Sequence, residues 1–149
     1  MIGLEIGQVI SAKIRFNNSG LTSSVNHPYL IIGIHEELGT VEIAQIDSLA
    51  GKEYKAAMKC NKVIYCDEPI EAVIDKDSYV QLDNTFQVEW YEGLCNYRRQ
   101  TDKLSANKLT ELIHAYKDYH SSHHIDENKQ VYMTKKEFEA LQKGDPCKS

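Results

Sequence analysis

Hydrophobic and polar positions alternate strictly near the start of the chain, where Ile10, Ala12, Ile14 and Phe16 are separated by Ser11, Lys13 and Arg15. That period of two predicts a half-buried first strand. Asn17 to Asn26 is polar and rich in turn formers, which predicts a long loop. It closes on Pro28, whose fixed φ and missing N–H suit the first position of a strand. Residues 29–35 form an apolar run short enough for a strand covered on both faces. Glu36-Glu37-Leu38-Gly39 predicts a tight reversal into a partner strand from Thr40 to Ile46. Val63-Ile64-Tyr65 and Val73-Ile74 predict two short strands, and Leu49 to Met58 a helical turn. Tyr79 to Trp90 alternates in two blocks, with Asp83-Asn84 between them as a bend or a turn.

After residue 93 the period changes. Leu109, Leu112, Ile113, Tyr116 and His120 fall on one stripe of an amphipathic helix. Ser105 is its expected N-cap, with Leu104 and Leu109 as a hydrophobic staple. A second helix is predicted from the capping box Thr134-Lys135-Lys136-Glu137, flanked by Met133 and Phe138, and ended by Gly144-Asp145-Pro146. About six strands followed by two helices predict an α+β fold built on a small antiparallel, strongly curved β-barrel. A length of 149 residues fits a single domain over 1–149, with a sheet core over about 7–92 and a helical part over about 98–143.

The net charge of -5 disfavours contact with nucleic acid until its distribution is counted. Residues 1–66 hold six basic and six acidic side chains, whereas 67–92 hold Lys76 against eight acids. The deficit therefore sits in one central segment, and the flanks remain able to attract an anion. Cys60, Cys66, Cys95 and Cys147 show neither CxxC nor zinc-knuckle spacing, so reduced thiols are expected. The N-terminal residues lack a basic flank and a long apolar run, so no signal peptide is expected. No stretch approaches the roughly 20 apolar residues of a membrane helix. Cytoplasm is the expected location.

Three places collect groups that carry chemistry. His27, Tyr29, Asp47, Ser48 and Lys52 cluster at the ends of two predicted strands. Cleaving RNA without a metal needs a base for the 2′-OH proton, donors for the phosphorane oxygens and an acid for the leaving 5′-oxygen. His27 and Asp47 are alternative bases, Lys52 and the Ser48 hydroxyl suit the phosphoryl oxygens, and Tyr29 suits a phosphate or a stacked base. The structural alternative is that Asp47-Ser48 caps the turn that follows and His27 is a solvated loop residue. Tyr97-Arg98-Arg99, with Lys103 and Lys108, suits a phosphate backbone and a stacked base, against the alternative of a solvated helix face. His120-Ser121-Ser122-His123-His124 has three imidazoles but no Cys or carboxylate partner at zinc spacing. It predicts a helix end rather than a metal site, and no metal or cofactor is expected.

The order of these features resembles that of a known family. Gly7-x-Val9, the polar loop closing on His27-Pro28, and a following strand ending in a hydroxyl resemble the PemK/MazF-like barrel toxins. The sequence is more similar to the type III toxin endoribonucleases of the ToxN/CptN family. There a Pro step before an apolar run resembles His27 to Ile34, a Ser followed by Lys resembles Ser48 to Lys52, and a Tyr-basic-Arg entry resembles Tyr97-Arg98-Arg99. The chain departs from the ToxN pattern in having Tyr29 beside the Pro and Asp47 before the Ser, which favours the CptN-like branch. The resemblance implies an endoribonuclease that leaves 2′,3′-cyclic phosphate and 5′-OH ends. It also implies an antitoxin RNA, a repeat-derived pseudoknot that the toxin processes and that inhibits it. Ser48 and Lys52 carry over as active-site residues. Tyr97 to Arg99 carry over as an RNA-binding element, and the full expected RNA-binding set is Arg15, Lys55, Tyr97, Arg98, Arg99, Lys103 and Lys108, with the acidic stretch 67–92 expected to face away.

Overall fold

A computed structural model describes residues 3–67 and 71–143. The strands are β1 (Val9–Ala12), β2 (His27–His35), β3 (Thr40–Ser48), β4 (Asn61–Ile64), β5 (Ser78–Glu89) and β6 (Val131–Met133). The helices are α1 (Ala106–Ser122) and α2 (Lys135–Gln142), with 3-10 turns at Glu53–Ala57, Glu92–Tyr97 and Glu127–Lys129. The fold is α+β with one six-stranded sheet in the order β1-β2-β3-β5-β4, and β6 joins it through β5. The sheet is mixed rather than wholly antiparallel, because β5 and β6 run parallel. It is also open: among the described residues no ladder joins β1 to β4 or β6, so the expected closed barrel is not what the pairing gives.

β5 explains how one strand serves so many partners. Its first part pairs Ser78–Val80 with Ile46–Ser48, and its last part pairs Thr85–Glu89 with Thr40–Ala44. Between them the single residue Gln45 faces the segment 81–84, so the ladder breaks at the Asp83-Asn84 step while the strand runs on. Bulges of this kind bend a strand and raise its twist. The far edge of β5 then takes β4 at one end and β6 at the other.

Strand alternation sorts the core into two faces. Val41 and Ile43 of β3 join Tyr29, Phe86 and Val88 beneath Phe138 and Leu141 of α2. Ala44 and Ile46 join Leu30, Val80 and Leu82 beneath Leu112 of α1. Each large side chain buried in this way contributes roughly 1.5–3 kcal/mol. α2 starts as its sequence requires, with the Thr134 hydroxyl accepting from the Glu137 N–H at 3.2 Å. It is also clasped from outside, since Tyr91 and Tyr97 donate to the Glu139 carboxylate at 2.6 and 2.8 Å. Those two donors hold the Glu139 carboxyl below its ordinary range, against the opposing effect of burial.

Several expectations are corrected here. Val73-Ile74 falls in an irregular segment with Val73 in a bend, not in a strand, although both side chains are buried. β6 has no counterpart among the expected strands. Ser105 does occupy the α1 N-cap, but its side chain makes no capping bond. Instead the Glu71 carboxylate accepts from the Ser105 N–H at 2.8 Å. The Gly144-Asp145-Pro146 stop and Cys147 lie outside the described residues, and Cys60 and Cys66 are free thiols.

Candidate active site

The ends of β3 and β5 meet as an adjacent pair, Ser48 opposite Ser78. Ser78 is buried, and its hydroxyl donates to the Lys76 carbonyl at 2.9 Å, which turns the chain back just before β5. That turn leaves Asp75 and Lys76 exposed beside Ser48. The third side comes from far along the sequence. The Arg99 N–H donates to the Val9 carbonyl at 2.9 Å, and Arg98 bridges to Ile10, so this segment lies along the outer edge of β1. A sheet edge is covered, and Arg99 is brought over Pro28, which pairs with Ser11 of β1. The result is a pocket of about 290 Å³ with Ser48, Ser78, Asp75, Lys76 and Arg99 on its walls.

Of the first expected cluster, only Ser48 and Asp47 line this pocket. The Asp47 carboxylate works elsewhere, because alternation along β3 puts residue 47 on the opposite face from Ile46 and Ser48. Its Oδ2 lies 3.3 Å from Gln45 Nε2, 3.4 Å from Tyr79 Oη and 3.5 Å from Gln81 Nε2. Tyr29 shares that far face, fully buried against Phe86, and its hydroxyl finds no partner among the described residues. Burial first, and then the Asp47 charge, push its phenol pKa up, so it is no ready proton donor or acceptor. His27 is the first residue of β2 rather than a loop residue, half-buried with its ring edge-on to Phe16 at 6.2 Å. Lys52 stands exposed as the N-cap of the turn Glu53–Ala57, outside the pocket lining. That also removes Asp47-Ser48 as the cap of this turn.

The expected RNA-binding set divides sharply. Arg15 pairs with Glu137 at 2.6 Å and donates to the Tyr132 carbonyl at 2.8 Å, which fixes the start of α2. Arg98 donates to the Gly3 carbonyl, and Lys103 pairs with Glu5 at 3.0 Å. Lys108 pairs with Glu71 at 3.4 Å and donates to the Tyr65 carbonyl. Lys55 sits over the Tyr54 ring at 5.6 Å. Tyr97 is not a stacking platform, since its ring packs edge-on against Phe138 at 5.3 Å and its hydroxyl goes to Glu139. Arg99 differs from all of these. Its guanidinium enters no ion pair among the described residues and lines the pocket beside Ser48.

Sequence reasoning missed Asp75, Lys76 and Ser78, which belong to the stretch expected to face away. The signal that finds them is the β3–β5 register, because any partner of Ser48 on the neighbouring strand lies at the same mouth. Chemically the pocket offers two cations, two hydroxyls and a carboxylate within a volume suited to a phosphate group. Among the described residues no group of three or more His, Cys, Asp or Glu has metal-binding geometry, and no helix is long and apolar enough to cross a membrane. No protein-family model matches this sequence, and no curated protein matches it either.

Proposed function

We propose that the protein is a metal-independent endoribonuclease toxin acting in the cytoplasm, with the scissile phosphate held in the Ser48–Arg99 pocket. The observation that carries this reading is Arg99, unpaired among the described residues and lining the pocket with Ser48 and Lys76, when the other cations of the expected RNA-binding set are engaged within the fold. In the reaction the ribose 2′-oxygen attacks the adjacent phosphorus and the P–O5′ bond breaks. Arg99 and Lys76 meet the charge that builds on the non-bridging oxygens, where fixed cations and donors lower the barrier most. Asp75 is the pocket carboxylate that accepts the 2′-OH proton, and the Lys76 ammonium supplies one to the leaving 5′-oxygen. The products are a 2′,3′-cyclic phosphate and a 5′-OH end.

A PemK/MazF-like, strongly curved sheet is the fold that goes with this reading, and the two ladder breaks in β2–β3 and β3–β5 support it. The restraining partner is a folded repeat RNA of the type III kind, which the toxin also trims. Expression in bacteria is expected to arrest growth, with rescue by a co-expressed repeat RNA. Rescue by a small protein instead would move the assignment to the type II toxins, and unimpeded growth would count against a toxin of either kind.

Tyr29 separates this site from the one first expected. Tyr29→Phe removes a buried hydroxyl that has no partner among the described residues, so stability is expected to stay level or rise by up to about 1 kcal/mol. RNA cleavage is expected to match the parent. Thermal unfolding and a cleavage assay check both, and a large loss of rate would return Tyr29 to the catalytic set.

A further inference from the structure

A second polar cavity, of about 540 Å³, opens between the last turn of α1, the β5–β6 pair and the turn Glu127–Lys129. Its floor is Glu42, a carboxylate buried on the same face of β3 as Ala44, Ile46 and Ser48. Its Oε1 lies 2.8 Å from His35 Nε2. Its Oε2 accepts from Thr85 Oγ1 and Tyr116 Oη, both at 2.6 Å. A carboxylate has about four lone-pair sites, so one remains for a ligand.

The walls are equally defined. The Gln87 side-chain carbonyl accepts from the Thr40 hydroxyl at 2.9 Å, which leaves its NH₂ as a donor. The Gln130 amide nitrogen donates to the Ile125 carbonyl at 2.9 Å, which leaves its oxygen as an acceptor. His120 Nε2 lies 2.6 Å from the Leu82 carbonyl, which only accepts, so Nε2 carries the proton and Nδ1 of the neutral ring accepts. Flat rings stand in layers around the opening. His120 lies over Tyr116 with centroids 4.1 Å apart, His123 stacks on Tyr119 at 4.2 Å, and Tyr132 is exposed. Lys129 lines the cavity, but Asp83 holds it at 2.8 Å. An anionic group therefore meets a buried carboxylate and no unpaired ammonium, which selects an uncharged ligand.

We propose that this cavity recognises a nucleobase, guanine before uracil, and so gives the nuclease a sequence preference. The chemistry matches in sign, and the cavity's acceptors outnumber the donor groups they must meet. The Watson–Crick edge of guanine offers two donor groups and one acceptor, against acceptors on Glu42, Gln130 and His120 and the donor on Gln87. Uracil offers a single donor. Splayed bases are commonly held in this way, by hydrogen bonds on an edge and stacking on aromatic rings. Glu42 and Ser48 are six positions apart on one strand face, about 20 Å, so the recognised base lies a few nucleotides from the cleaved phosphate. The link to cleavage rests on the endoribonuclease reading.

The test uses guanosine and uridine titrated calorimetrically into the full chain, because nucleosides carry no phosphate and bypass the Ser48–Arg99 pocket. Guanosine is expected to bind saturably and more tightly than uridine, and to bind about tenfold more weakly to Tyr132→Ala and to His120→Ala. Circular dichroism of each variant confirms its fold, and Tyr132→Ala alters only an exposed ring. Absence of saturable guanosine binding, or equal binding by the parent and Tyr132→Ala, would overturn the site. Guanosine binding by a protein that leaves RNA intact would support the site while rejecting the nuclease. RNA cleavage without guanosine binding would reject the site alone.

Discussion

Replacing Arg99 with alanine is expected to slow RNA cleavage by about a hundredfold to a thousandfold, the usual cost of removing one fixed donor from a developing oxyanion. The fold is expected to survive, because the side chain is exposed and its anchoring bond to Val9 is made by the backbone N–H. Stability is expected to stay within about 0.5 kcal/mol of the parent. Arg99→Lys keeps the charge but loses the planar fork, so an intermediate rate is expected. Arg98 is the internal control. It is the neighbouring residue, but its guanidinium donates to Gly3, so Arg98→Ala should touch stability before rate. Single-turnover cleavage of a labelled RNA, with urea unfolding of each variant, separates these outcomes.

The second large effect is on stability. Lys108→Ala leaves the Glu71 carboxylate without its ion-pair partner, and the Glu71 side chain is only 1% exposed. An uncompensated buried charge costs about 3–5 kcal/mol. Against a total of roughly 5–15 kcal/mol for a domain, such a loss brings the chain near unfolding at body temperature. The damage is expected at the start of α1, because Glu71 also accepts from the Ser105 N–H. Replacing both partners, as Glu71→Gln with Lys108→Met, is expected to recover most of the loss. Urea denaturation of the single and double variants reads the difference. A Lys108→Ala protein as stable as its parent would show that the pair does not hold α1 in place.

Much of the scaffold is written in local pattern. The α1 stripe, the Thr134 capping box and the Glu36–Gly39 reversal each depend on residues within a few positions of one another. What escapes local reading is set by distant pairing. Val73-Ile74 looks like a strand because two apolar residues must be buried, but burial in an irregular segment leaves the same signature. Val131-Tyr132-Met133 is too short to show a period, and it becomes a strand only because β5 offers it a free edge.

The site follows the same division. Ser48 and Arg99 were legible as residue types at plausible places. Their meeting with Lys76 and Asp75 depends on a ladder joining Ser48 to Ser78 across thirty positions. Asp47 is the instructive case. Period two alone sends it to the face opposite Ser48, so the two neighbours serve different surfaces. Lys52 shows the reverse case: its N–H reaches the Leu49 carbonyl at 2.8 Å, yet the residue stays outside the pocket lining.

The central claim is that the Ser48–Arg99 pocket cleaves RNA by attack of the neighbouring 2′-OH, using this chain's own side chains. End-group analysis of RNA incubated with the purified protein in excess EDTA tests it most directly. Cleaved RNA carrying 2′,3′-cyclic phosphate and 5′-OH ends, lost in Arg99→Ala, is the predicted result. Intact RNA, or products with 5′-phosphate and 3′-OH ends, would contradict it.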